Sequence, residues 1–548
     1  MSQTPTNQST RKNKGRGTFN GTSRTLSSSS TTIPVSSIPS LSTELKAADW
    51  NKIVCTFNKA WISTSLYWSV FYSFLGGTSY SNETSFGDDI WAKVTVFSLA
   101  LIFKLWSKEH YRSPNFQTDM INNLQNVAVP GTGIPLSYFC YNWHVCLIFV
   151  VLLNPIICFI GAINKARHTS ISIETFIVTA LENYINFLLH PDDWFSFWRL
   201  NCRLASYHSL VTKSNHYRHE DKWTFLLEGK KYSVPITPFF DVPSIVLKNK
   251  NVEGGLGIHF YENAVHGGEW IIQERLTNSE WLNKLLPPNP PLSTMRVITA
   301  STMGMTEKGR SFLNYSEVNK EISTDDIAIT ETWKDTGKVL SEETKEASLG
   351  LGLGLFGESS SRINPIRALS GVLRLGRAGA ATDHSSVLFD VDLATGIIKE
   401  GNSNAHWYKL GAKSIFECPW LPQGTCEIHP DAPHPQVSGK IIPNIDEVIK
   451  IVVDAHTKMM PEVPLVGWDV AFTDKGIKLL EVNLSCNFFR GSFDHHAYIK
   501  FVDAYWRDLT VLEEEKVYNK VREEKLQELK EKLLKTEITS SSVRRRRK

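Results

Sequence analysis

At 548 residues with 42% hydrophobic and 11% aromatic content, the chain has material for roughly two to four domains with large cores, which excludes a wholly disordered polymer. Its 59 basic and 56 acidic residues leave a net charge of +3, so charge gives no ground for a nucleic-acid partner and none is expected. The eight cysteines form neither a CxxC pair nor the spacing of a disulfide scaffold, which points to a reducing, cytosol-facing environment.

Residues 1–45 are rich in Ser, Thr, Asn and Lys and lack the apolar core of a cleavable signal, so a disordered tail is expected. Residues 46–167 read as a membrane-associated helical region. Within it, 60–81 is rich in Trp, Tyr and Ser, and 90–106 is apolar except for Lys93 and Lys104; each alone is an equivocal membrane segment. The run 135–164 has no Asp, Glu, Lys or Arg, and its half VCLIFVVLLNPIICFIGAI is long enough for the about 20 helical residues that cross a hydrocarbon layer. A buried core helix is the plainer alternative, although it needs only about 10–14 apolar residues.

Asn154-Pro155 predicts a kinked span or a re-entrant hairpin, because proline removes a backbone donor. Basic residues flank the runs at 11–16, 104–112 and 165–167, while the short loop 82–89 is acidic. The number of crossings stays open. Two crossings plus a hairpin keep the remaining chain cytosolic.

Residues 168–220 read as a helical subdomain. Apolar spacing predicts helices over 171–189 and 194–211, the second announced by His190-Pro191-Asp192-Asp193. Residues 221–506 form the expected catalytic domain, and 507–548 a charged helix with a basic tail. Lys and Glu alternate at helical spacing over 512–534, before SSSVRRRRK. A solvated, frayed end is the plain reading of that tail; contact with anionic lipid, at about 1 kcal/mol per basic residue, or a transport signal are its alternatives.

Three pieces of the catalytic region carry chemistry. The first is DKWTFLLEG from Asp221, followed by SIVLKNKNVEGGLGIHF, a strand ending at Lys248 and a loop of Glu253, Gly254, Gly255 and Gly257. Small loop residues let backbone N–H groups approach phosphate oxygens, and lysine supplies a point charge; a plain hairpin turn would look the same. The second is GGEWIIQERLTNSEWL, where 270–273 predicts a strand leading to Glu274, Arg275 and Leu276 and a helix start at 277–280. Backbone groups near Glu274 and Leu276 suit a base edge and Glu280 suits ribose hydroxyls, although an amphipathic strand and a capped helix would look the same. The third is PLVGWDVAFTDKGIKLLEVNLSCNFF, a hairpin turning at Asp474-Lys475-Gly476. Asp469 lies on its first strand, and Glu481 and Asn483, two apart on the second, share a face. Their oxygen ligands suit Mg²⁺, with an ion-paired structural carboxylate as the alternative.

Taken in order, these motifs resemble the ATP-grasp superfamily over roughly half the chain. The resemblance implies an α+β fold of two α/β subdomains clasping ATP, preceded here by the membrane-associated helices. It implies that Lys222 and Lys248 bind phosphate oxygens under the loop Glu253, Gly254, Gly255 and Gly257, and that Gln273, Glu274, Leu276 and Glu280 hold the nucleoside. Asp469, Glu481 and Asn483 would hold Mg²⁺. PPLSTMRVITA, LRLGRAGAATDHSSVLFDVDLATG, HWYKLG and GWDVAF are further similar to sugar-transfer-associated, glutamate-ligase-related members.

Many carboxylate–amine ligases place a basic residue just before the first metal aspartate, whereas this chain has Gly467 and Trp468. Another arginine must then serve, Arg296 first, with Arg374 and Arg377 as further catalytic candidates. The implied activity is an ATP-dependent ligase that makes an acyl phosphate for attack by an amine. Its substrates would be small or glycan-linked carboxylates and amines, with glycan or glycolipid modification as the setting. A membrane-tethered scaffold that no longer turns over and a kinase-like enzyme are the alternatives. His384, His406, His429 and His434 lack a metal-ligand spacing, and the glycine-leucine stretch within 341–362 reads as a flexible insertion.

Overall fold

The computed structural model describes residues 49–546 apart from 83–84, 126, 130–133, 171, 249–257, 319–364, 383–385, 404–424, 487 and 489–490. The glycine-rich loop at 253–257, the insertion at 341–362, His384, His406 and the whole N-terminal tail at 1–45 lie outside the described residues.

The first half is helical: α1 (Trp50–Leu75), α2 (Ile90–Leu105), α3 (Phe116–Leu124), α4 (Trp143–Thr169), α5 (Ile173–Leu189), α6 (Trp194–Thr212) and α7 (Lys222–Lys231). Local sequence explains their starts. Asp49, Asp89, Ser172, Asp193 and Asp221 each cap a helix by accepting from backbone N–H groups of its first turn. The predicted helices of the 168–220 region are thus present, and Asp193 is the cap that the His-Pro-Asp-Asp signal announced.

The apolar runs behave differently from one another. All of α2 except Ile90, Trp91 and Lys104 is buried. It packs on the C-terminal helix, where Phe97 meets Trp506 at 4.9 Å and Tyr80, just ahead of α2, donates to Asp503 at 2.6 Å. The run at 90–106 is therefore covered by its own chain as a core helix. By contrast, α4 is 27 residues long with only a third of its most apolar stretch buried, and is the one helix among the described residues long and apolar enough to cross a membrane. A π-helical turn at Phe149–Leu153 precedes Pro155, so the helix runs past the proline instead of breaking into a hairpin.

The second half holds the strands β1 (Ser244–Lys248), β2 (Ile258–Glu262), β3 (Thr294–Ser301), β4 (Ile366–Leu375), β5 (Val387–Val391), β6 (Ile398–Ser403), β7 (Ile428–His429), β8 (Ala432–Gln436), β9 (Leu465–Thr473) and β10 (Gly476–Asn483). With them come α8 (Glu280–Asn283), α9 (Glu307–Val318), α10 (Ile445–Met459) and α11 (His495–Arg546). Six strands form one antiparallel sheet in the order β10-β9-β3-β4-β5-β6, and β1 pairs with β2 in a separate hairpin.

Every residue of β3 and β9 is buried, as central strands covered on both faces require. Alternation divides their side chains between two cores. Met295, Val297, Val466, Trp468 and Val470 pack with Val448 and Val452 of α10, whereas Ile298, Ala300 and Leu465 join the helical half and α11. From Asp49 onward the chain is one compact unit, and the expected boundary at 506–507 falls inside α11, which continues as an exposed helix over 514–532.

Buried histidines give this unit an acid limit. Within the α10 core, His456 shares a 2.7 Å hydrogen bond with Thr299 Oγ1 and lies 3.1 Å from the Val463 carbonyl, and burial depresses it to about 4. Burial likewise pushes His208 down to about 3. A lowered histidine pKa favours the neutral fold, so its contribution is complete above the unfolded value near 6.5 and is lost as pH falls toward 4. His456 alone is expected to cost about 3 kcal/mol over that window. Urea denaturation at about pH 7 and pH 4.5 checks this, and equal midpoints for the native chain would contradict it.

Candidate active site

The β9–β10 hairpin turns at Asp474-Lys475, with Gly476 at φ +84°, a conformation that glycine adopts without strain. Its register sets Glu481 opposite Asp469 and Asn483 opposite Gly467. On the other side of β9, Asp469 is opposite Arg296 of β3, and Arg374 of β4 pairs with Thr294, two residues from Arg296. Directly paired residues share a face, so Glu481, Asp469 and Arg296 form a row that Arg374 joins diagonally.

Asp469 is held from two sides. Arg296 Nε lies 2.5 Å from its Oδ1 and Arg374 Nη2 lies 3.0 Å from its Oδ2. Asp469 and Arg296 are 5% and 6% exposed, so the charges are out of water and depend on one another. Burial opposes the charged carboxylate, but the two guanidinium groups outweigh it and hold the Asp469 pKa below the usual carboxylate range.

Gly467 has a steric role here. A Cβ on it would stand 2.5 Å from Cys486 Cβ and 3.2 Å from Arg296 Nη1, so the missing side chain makes room for the guanidinium. Trp468 points the other way, donating to Thr299 Oγ1 at 2.9 Å. Gly467→Ala is expected to cost about 1–3 kcal/mol through overpacking. A fall in the urea midpoint at constant slope would report it; an unchanged midpoint would show that the site relaxes freely.

At the sheet edge, Lys222 in the first turn of α7 reaches Glu481 Oε2 at 2.8 Å. The α7 segment is tied to β10 through backbone bonds between Leu479 and Pro235 and between Thr237 and Leu479. Asn483 buries its amide nitrogen without a hydrogen-bond partner among the described residues. Turning that amide over presents its oxygen instead, beside two carboxylates. Asp469, Glu481 and Asn483 would then offer only oxygen ligands, the donor type that Mg²⁺ takes while keeping several waters. No group of three or more His, Cys, Asp or Glu side chains suited to a metal occurs among the described residues.

The nucleoside candidates sit elsewhere on the hairpin. Residues 270–273 form no strand; single bridges join Trp270 to Asn263 and Gln273 to Phe239. The chain before them reverses tightly at Gly268, where a Cβ would meet the Glu262 carbonyl at 2.2 Å, leaving too short a run for a ladder. The Glu274 N–H already donates to Pro238, and its carboxylate pairs with Lys475. Leu276 is buried. The segment lies against the hairpin tip through Ser279 N to Phe472 O at 2.9 Å and Asp474 N to Thr277 O at 3.3 Å. Those contacts fall three and five residues from Asp469, roughly 10–17 Å along the chain.

Glu280 opens α8 with an exposed side chain paired to Lys284. Arg377 lies beyond β4 and is engaged at 2.6 and 2.7 Å by Asp431, whose pKa this pairing lowers to about 2. Lys248 ends β1 and is exposed. The sheet row thus gathers Lys222, Arg296, Arg374, Asp469, Glu481 and Asn483, whereas Glu280 and Arg377 have partners of their own outside it.

Two groups at this site escaped the sequence reading. Glu220, just before Lys222, is raised by burial although Arg112 lies 2.5 Å from its carboxylate. Lys475, read only as a turn residue, holds Glu274. Neither has a local pattern to announce it. No family model, no curated protein and no solved structure matches this chain.

Proposed function

We propose that the chain is a membrane-associated, ATP-dependent carboxylate ligase of the ATP-grasp kind. The observation that carries this reading is the buried row on one sheet face: Asp469 held by Arg296 and Arg374, with Glu481 and Asn483 alongside. Each carboxylate oxygen of Asp469 retains a lone pair beyond its guanidinium bond.

The reaction needs charge control more than a nucleophilic side chain. The substrate carboxylate attacks the γ-phosphorus of ATP, giving an acyl phosphate and ADP; an amine then forms the amide and releases phosphate. Mg²⁺ bound by Asp469, Glu481 and Asn483 would neutralise phosphate charge. Arg296 and Arg374 meet the charge that develops on the transferring group, and their fixed pairing with Asp469 keeps them oriented beforehand. Lys222 moves from Glu481 to a phosphate oxygen as the nucleotide enters.

One observation favours a second reading, a non-catalytic scaffold: both Asp469 oxygens are already engaged by guanidinium groups, as in a purely structural ion cluster. Calorimetry on the full-length chain separates the two. Truncation before α6 is unsuitable because α2 shares a core with α6 and α11. Mg²⁺-dependent ATP binding that falls at least about tenfold in a Glu481→Ala, Asn483→Ala double variant is expected. A folded parent that binds no ATP at millimolar concentration would overturn the ligase reading in favour of the scaffold.

A further inference from the structure

A narrow cavity lies between α2, α3, α4 and α6, with about 60 Å³ open to the centre of a water molecule. Its walls include Leu99, Ile102, Met120, Leu124, Phe149 and Val150. Two arginines of α6, Arg199 and Arg203, also line it; four residues apart, they lie on one helix face. Asp119 is a lining residue too, but its carboxylate is bound by Arg112 at 2.5 and 3.2 Å.

Arg203 is poorly matched by the rest of the chain, whereas Arg199 also lies over the Phe195 ring at 4.7 Å. Arg199 gives Nη2 to Ser196 Oγ at 2.8 Å, and Asp193, the acid that acts on it, is spent capping α6. Arg203, 5% exposed, gives Nη1 to the Arg199 carbonyl and leaves Nε without a partner. Neither arginine has an ion pair with a carboxylate among the described residues. Burial, then Arg199, lowers Arg203 to about 10, the mark of a cation whose lost hydration the chain does not replace.

Two further observations indicate what would complete the site. The space suits roughly four waters, so it admits a compact head and a slim chain but no ring system. The turn of α4 that lines it with Phe149 and Val150 is π-helical and presents Ile148 and Leu152, each about half exposed, to the outside. Apolar wall, unpaired cations and exposed apolar helix meet within one turn.

We propose that this cavity binds the anionic head and first methylenes of a linear alkyl chain, with Arg199 and Arg203 taking the charge. The site is separate from the sheet row and does not rest on the ligase reading. Carboxylate and phosphate heads share the required chemistry, as anions that accept from guanidinium.

The test titrates delipidated full-length chain with dodecanoate, dodecyl phosphate and dodecanol below their aggregation limits. One anionic chain per protein is expected, bound at least about tenfold more tightly than the alcohol, and the tighter anion identifies the head. Arg203→Gln should remove that preference while leaving alcohol binding unchanged. The half-buried Arg199→Gln makes the same test should the first variant not fold, and Leu124→Trp should block all three ligands. Equal binding of anion and alcohol, or a preference that survives both arginine variants, would overturn the proposal.

Discussion

Asp469→Asn is expected to lower the free energy of unfolding by about 3–5 kcal/mol, because it removes the carboxylate charge that both buried guanidinium groups, Arg296 and Arg374, engage. Removing one partner of a buried ion cluster costs far more than the cluster contributes over an apolar replacement, since the surviving charge keeps its desolvation penalty. An Arg296→Met, Asp469→Leu double variant should therefore lose less stability than the two single changes added together. Urea denaturation near neutral pH gives all four corners of the cycle. A loss under about 1 kcal/mol for Asp469→Asn would mean that water or other groups solvate the guanidiniums, and the buried row would not be the fixed frame that the mechanism requires.

Glu481 supplies the contrast. Its pair with Lys222 is partly exposed on both sides, so breaking it is worth about 0–1 kcal/mol. The same carboxylate is one of the three oxygen ligands assigned to Mg²⁺. Stability and nucleotide binding should thus separate at Glu481 and fall together at Asp469, a division that a purely structural ion cluster does not produce.

The local parts of this site were legible in the sequence. Period-two alternation with an Asp-Lys-Gly turn defines the 465–483 hairpin, and the apolar frame of Arg296 marks β3. Adjacency was not legible. Arg296 meets Asp469 only because β3 and β9, some 170 positions apart, pair in the sheet, and local patterning carries no information about such pairing. Arg374 and Arg377 looked alike in VLRLGRAG, yet one lies within β4 and reaches Asp469, while the other lies past its end and meets Asp431. The run at 90–106 stayed equivocal for another reason. A helix apolar all round satisfies a membrane and a core equally, and only Tyr80 and Trp506 packed against it decide which.

For α4 the expectation of membrane contact rests on an exposed apolar face, and a charge test there has a large expected effect. Leu152 and Ile156 are about half exposed and one helical turn apart, beside Phe159 and Ile160. On α1, Trp50, Phe57, Trp61 and Tyr72 are exposed as well, with Tyr72 at 80%. Leaving this much large apolar surface in water is unfavourable, and a lipid layer removes it from water without any protein partner. An acid at the centre of a membrane-seated helix costs about 2.5–3.5 kcal/mol. Leu152→Glu with Ile156→Glu should then weaken membrane partitioning by about 10⁴-fold. The chain with its own residues should stay with membranes through alkaline extraction and the double variant should leave them. Glutamates at Val517 and Tyr518, exposed on α11, should change nothing. A native chain found in the supernatant, or a double variant that remains resistant to extraction, would mean that the exposed face of α4 meets protein and not lipid. If the released variant still binds Mg-ATP, the sheet row works without the membrane, and α1 and α4 serve to bring it to a substrate held there.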